Sequence, residues 1–149
     1  THYIVEHDRE WINFFFDKHN KNDKTEVVYV DRIDGVYNGR YINTVTPIFY
    51  YDNFGEKIGN QKFDFIFIDG PQGSQEYSRV DVTELLPEVL PEDFVIMIDD
   101  SERNGERRTI QTIMQILTDN GIDWVSADVD GQKNTCIIVS STYAFLCSI

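Results

Sequence analysis

The sequence predicts an α/β domain: a mainly parallel sheet with helices on both faces, closed by a C-terminal antiparallel hairpin. Three observations predict it. Strand and helix periodicities alternate along the chain. FDFIFID (63–69) and DFVIMID (93–99) are apolar runs broken at most by one early acid, as parallel strands covered on both faces require. IDWVSADV and KNTCIIVSS flank Asp130-Gly131, a dipeptide favoured in tight hairpins.

The elements follow in order. HYIVE (2–6) is a short apolar strand, and Asp8 stands where it can cap the next helix. Trp11, Ile12, Phe15 and Phe16 recur at helical spacing and form that helix's expected buried face. Asn20 and Asn22 mark a turn before TEVVYV (25–30), a strand rich in β-branched residues. Residues 31–62 hold Gly35, Gly39, Gly55, Gly59, Pro47 and the tyrosines Tyr37, Tyr41, Tyr50 and Tyr51. A loop of that length is uncommon in a compact domain. Short strands are therefore expected at 41–45 and 48–51, as a hairpin or an excursion beside a ligand site, with the tyrosines read first as local packing. Val82, Leu85, Leu86, Val89 and Leu90 follow a helical repeat that Pro87 should stop near Leu86. Ile110, Ile113, Met114 and Leu117 repeat it, with Gly121 placed as a C-terminal cap. No repeat or linker divides the 149 residues, so a single domain, 1–149, is expected.

Charge narrows the partners. The chain carries 13 Lys and Arg against 26 Asp and Glu, and Arg79 is the only base among residues 63–100. That segment repels nucleic acid and anionic membranes and attracts divalent cations. No apolar run reaches the length of a bilayer span, and THYIVEHDRE lacks a leader pattern, so neither nucleic acid nor membrane is expected as a partner. Cys136 and Cys147 show no metal or redox spacing, Cys136 reads as a buried thiol, and the cytoplasm is the expected compartment.

Three acids stand at the carboxyl ends of the apolar strands, where open α/β sheets place their sites. Asp69 precedes Gly70-Pro71, a sharp exit from the strand, and Asp99 and Asp100 end the run one crossover later. If the two strands are neighbours these carboxylates converge, and three hard oxygen ligands suit Mg²⁺ or Ca²⁺; the alternative is that they cap loops. Glu6 ends the first strand, where a carboxylate can accept both hydroxyls of a ribose. Arg79 either holds an anionic group or pairs with Asp81 or Glu76.

Taken together, VEHDREW, FDFIFIDGPQGSQEYSRVDVTELLPEVL and FVIMIDDSERNGE resemble the class I S-adenosylmethionine-dependent methyltransferases. The IDG and IDD strand ends are similar to the catechol-type O-methyltransferase arrangement, and the resemblance runs from Tyr3 to about Val139. It implies a Rossmann-like methyltransferase sheet, with Glu6 on the ribose hydroxyls of S-adenosylmethionine and His7 near the adenosine. It further implies Asp69 and Gly70 beside the cofactor, and Asp69, Asp99 and Asp100 around Mg²⁺ or another divalent cation. Such a cation aligns an acceptor hydroxyl and lowers its pKa, and in-line placement does the rest; Asp69, Asp99 and Arg79 are the catalytic candidates. Position 100 is Asp where the metal-dependent pattern has Asn, and Gln72 replaces a Lys that often follows the first ligand. None of the nine glycines forms a G-x-G cluster after a strand. On this alignment the fold is N-terminally truncated, lacking the first strand and its glycine-rich loop, and its open edge favours a homo-dimer.

The leading expectation is an O-directed methyltransferase, or the larger part of one, acting on a small hydroxylated or sugar acceptor. Two alternatives accompany it: a catalytically incomplete methyltransferase-like binding or assembly module, and a metal-dependent enzyme of phosphate chemistry.

Overall fold

In the computed structural model, residues 1–18 and 24–148 are described. The expected turn at Asn20 and Asn22 lies outside them. Strand β1 (His2–Glu6) leads to helix α1 (Arg9–Lys18), then β2 (Thr25–Tyr29), β3 (Arg32–Gly35) and β4 (Ile48–Tyr51). A short helix α2 (Phe54–Ile58) precedes β5 (Phe65–Ile68), a 3-10 segment (Val80–Leu85) and β6 (Val95–Ile98). Helix α3 (Asn104–Asp119), β7 (Trp124–Val129), β8 (Thr135–Ser140) and a second 3-10 segment (Ser141–Cys147) complete the chain.

These strands do not build the single, mainly parallel Rossmann-like methyltransferase sheet that the sequence predicts, truncated or otherwise. Among the described residues three separate sheets form: β1 with β2, β3 with β4, and a four-stranded sheet in the order β5-β6-β8-β7. Only β1–β2 and β5–β6 pair in parallel; β3–β4, β6–β8 and β8–β7 are antiparallel. The reason is local. β1 and β5 each spend one edge on a single partner, and among the described residues no strand joins their free edges. The return of the chain through β7 and β8 then makes antiparallel pairing dominant. The two apolar runs do lie side by side in parallel, with Ile66 opposite Ile96 and Ile68 opposite Ile98.

Helical cover is one-sided at the sheet's edge. On β5, Ile68 is buried while Phe65 and Phe67 are each 53% exposed, so the expected cover on both faces fails there. The core gathers Phe94, Ile96 and Ile98 with Ile138 of β8, Leu86 beyond the first 3-10 segment, and Ile113 and Leu117 of α3. Val5 and Val28 of the β1–β2 pair pack against it, and Tyr3 meets Phe63 edge-on at 5.4 Å.

The local signals fare unevenly. Asp8 caps α1, its Oδ1 accepting the N–H groups of Glu10 (2.9 Å) and Trp11 (3.1 Å). Ile12 alone of the predicted α1 face is buried; Trp11 is exposed and stacks on Phe15. Gly121, at φ 67°, closes α3 with its N–H on Thr118 O (3.0 Å), while Ile122 N–H reaches Leu117 O (3.0 Å). The segment before Pro87 is a 3-10 turn rather than an α-helix. Within 31–62, the hairpin pairs β4 with β3; residues 41–45 are no strand and contribute one bridge, Asn43 to Asn38. Asp130-Gly131 makes no two-residue turn, because the β7–β8 ladder closes at Val129 and Thr135, leaving five residues between.

Candidate functional site

The carboxyl ends of β5 and β6 meet as their parallel pairing requires, and Asp69, Asp99 and Asp100 offer oxygens all within 4.8 Å of one another. Asp69 is mostly exposed, Asp99 partly buried and Asp100 buried. The convergence the sequence predicts is therefore present.

The sequence gives no hint of how completely cations surround it. Arg79, only 3% exposed, lies under the three acids. Its Nη1 donates to the carbonyls of Ile68 (3.0 Å) and Asp99 (2.6 Å), tying the two strand ends together. Its Nη2 reaches Asp100 Oδ2 (3.0 Å) and Asp69 Oδ1 (3.4 Å), and its Nε faces the buried Glu106 at 3.6 Å. Neither predicted partner is used: Asp81 accepts the Tyr51 N–H, and Glu76 accepts those of Val45 and Thr46. So buried, the guanidinium positions the two strand ends. Arg79 and Asp100 both hold left-handed backbone, φ 58° and 56°. A non-glycine residue there costs on the order of 1–3 kcal/mol, which the surrounding ion pairs must offset.

Two further cations complete the group. Arg103 Nη1 lies 2.9 Å from Asp100 Oδ2, and Lys133 Nζ lies 3.0 Å from Asp100 Oδ1 and 3.6 Å from Asp99 Oδ2. Thr135 donates its hydroxyl to Asp99 Oδ1 (3.3 Å). Burial pushes the Asp100 carboxyl up, but Lys133, Arg103 and Arg79 outweigh it and hold it below its ordinary value. Asp69 moves the other way, raised by burial against the pull of Arg79. As it stands the donor set does not fit a divalent cation, which needs several uncommitted oxygens. Both Asp100 oxygens and both Asp99 oxygens are engaged, leaving chiefly Asp69.

Glu6 and His7 sit at the carboxyl end of β1, as predicted. Glu6 Oε1 accepts the backbone N–H groups of His7 (2.7 Å) and Asp8 (2.9 Å), which fixes the carboxylate, and His7 Nδ1 lies 2.7 Å from the same oxygen. Tyr51 connects this end to the acids. Its ring lies 5.8 Å from that of His7, and its hydroxyl faces Gly70, where a Cβ would stand 3.0 Å from it. Burial, with Glu6 and Asp81 nearby, pushes the Tyr51 phenol well above its ordinary range. Gly70 thus leaves room for a phenol that packs on the predicted cofactor face.

Sequence reasoning missed Tyr51, Glu106, Arg103 and Lys133 as members of this group. Lys133 is placed by the strand register, which the sequence alone does not show. Ile98 pairs with Cys136, so the residues just before β8 must lie beside those just after β6.

No protein-family model matches this chain, and no curated protein matches it either. Among the described residues no helix is long and apolar enough to cross a membrane.

Proposed function

We propose that the chain is an S-adenosylmethionine-dependent methyltransferase, or the larger part of one, directed to a hydroxyl of a small acceptor. The observation that carries this reading is the pinned Glu6 carboxylate at the end of β1, next to His7, whose ring lies beside that of Tyr51, the phenol that faces Gly70. A carboxylate held by two backbone amides is preorganised to accept a ribose diol. His7 and Tyr51 offer aromatic surface to an adenine. When bound, S-adenosylmethionine supplies an electrophilic methyl group. Asp69 takes the proton of the acceptor hydroxyl: it is exposed enough to be reached, and burial raises its carboxyl while the surrounding cations lower that of Asp100. Arg79 holds the Asp69 strand end in register with Asp99, keeping that base in place.

One observation favours the second reading, a catalytically incomplete methyltransferase-like binding or assembly module: no glycine cluster is available to receive the methionine part of the cofactor. In that case the bare Phe65 and Phe67 on the β5 edge strand favour a second copy of the chain as partner.

Calorimetric titration with S-adenosylhomocysteine and with adenosine separates these readings. Weak binding is expected, because no glycine cluster receives the methionine part, with Glu6→Ala losing about tenfold to a hundredfold in affinity, the value of one charge-assisted hydrogen bond of about 1.5–3 kcal/mol. Binding without methyl transfer to any hydroxylated acceptor supports the module. Absence of binding, or equal binding by Glu6→Ala, overturns the methyltransferase reading.

A further inference from the structure

The five residues between β7 and β8 are docked onto the end of β6. Ser101 N–H donates to Asn134 O (2.9 Å), and Asn134 N–H donates to Glu102 Oε2 (3.0 Å), so both sides of the loop's last residue are tied to the segment after Asp100. Gly131 turns tightly enough that a Cβ there would lie 3.0 Å from Lys133 O. The loop therefore presents Lys133 at a fixed place, and that place is the mouth of the acid group.

We propose that the Lys133 ammonium is the resident cation of Asp69, Asp99 and Asp100, so that the group works without a divalent ion, and that removing this one charge converts the three acids into a divalent-cation site. The ammonium stands 3.0 Å from Asp100 Oδ1 and 3.6 Å from Asp99 Oδ2, bridging two of the three acids. A divalent ion bound to the same atoms would lie within a few ångströms of the ammonium, and two cations so close repel strongly even at a protein surface. Either the lysine or the metal holds the group. Arg79 and Arg103 both engage Oδ2 of Asp100, and Arg79 also reaches Asp69 Oδ1, so Oδ1 of Asp100 is the oxygen that falls to Lys133 alone. The resulting device differs from the catechol-type arrangement that the strand ends resemble: the cation is built into the hairpin loop. It stands independently of the methyltransferase reading, because it concerns only which cation the carboxylates hold.

The test uses Mn²⁺ alone, by calorimetry and by loss of the free-ion paramagnetic resonance signal, on the wild-type chain, Lys133→Met, Lys133→Gln and Lys133→Arg. Wild type and Lys133→Arg should show no saturable binding in the millimolar range. Lys133→Met and Lys133→Gln should bind at least tenfold more tightly than wild type, and Asp99→Asn added to either should abolish the gain. Thermal unfolding establishes that each variant is folded, and Mn²⁺ should raise the transition of Lys133→Met but not of wild type. Tight binding by the wild type, or no gain in both folded neutral variants, overturns the proposal. Neither result touches nucleoside binding at Glu6, so failure here and failure of the methyltransferase reading are told apart.

Discussion

Replacing Arg79 with Met keeps a chain of similar length in the same buried slot but removes five polar contacts at once. Asp100 retains Arg103 and Lys133, at 2.9 and 3.0 Å, so its charge stays compensated. Glu106 fares worse: it is 3% exposed, loses the guanidinium at 3.6 Å and keeps the Ser78 hydroxyl at 3.0 Å. The carbonyls of Ile68 and Asp99 lose their donor as well. Breaking a buried ion pair on one side costs about 3–5 kcal/mol, and each stranded buried acceptor about 1–3 kcal/mol. These overlap, so a total near 5 kcal/mol is expected, a large part of an ordinary domain's stability. With a urea slope of about 1–3 kcal/mol per molar, the unfolding midpoint should fall by about 2 M or more. Adding Glu106→Gln removes the stranded charge and should restore about 1–2 kcal/mol. A loss under about 1 kcal/mol, or a double variant weaker than Arg79→Met alone, would refute the view that Arg79 holds the strand ends by neutralising buried acid.

Asp81 gives a pH signature: burial pushes its carboxyl up to about 7, and one of its oxygens has no hydrogen-bond partner. Because the folded value lies above the unfolded one, stability is full below about pH 4 and lost as pH rises toward 7, by at most about 4 kcal/mol. Asp81→Asn should therefore match the wild type near pH 4 and exceed it at pH 8; equal urea midpoints at both pH values would count against this. In the core, Phe94 is fully buried and Phe94→Ala should cost about 3–5 kcal/mol. The half-exposed Phe67→Ala should stay within about 1 kcal/mol, and a comparable loss at both positions would mean that the outer face of β5 is covered in solution.

What could be read from the sequence follows from range. Asp8 as a cap, Gly121 as a helix stop and the two apolar runs as parallel neighbours depend on spacing within a few residues or on strand burial, and each formed. The assembly of strands into sheets depends on which edges meet, and nothing in TEVVYV or IFYY specifies that. β4 pairs with β3 instead of joining a larger sheet because Ile48 and Tyr50 bury with Tyr37 and Ile42 in a small core of their own. The acids were legible because strand ends are legible. Their cations were not, because Arg103 and Lys133 come from segments whose approach is set by the β6–β8 register and by a five-residue loop. Trp11 shows the limit of periodicity: it sits on the helical repeat, yet it stays half exposed, stacked on Phe15.

The division into three sheets gives the molecule more than one free energy of opening. The β1–β2 pair meets the four-stranded sheet through side chains such as Val5, Val28 and Tyr3, with no shared ladder. Its amides can therefore exchange with solvent through an excursion that leaves β6 and β8 closed. Glu6 and His7 travel with that excursion, while Asp69, Asp99 and Asp100 stay behind. A small molecule seated against both ends would act as a rivet, slowing exchange in β1 and β2 more than anywhere else in the chain.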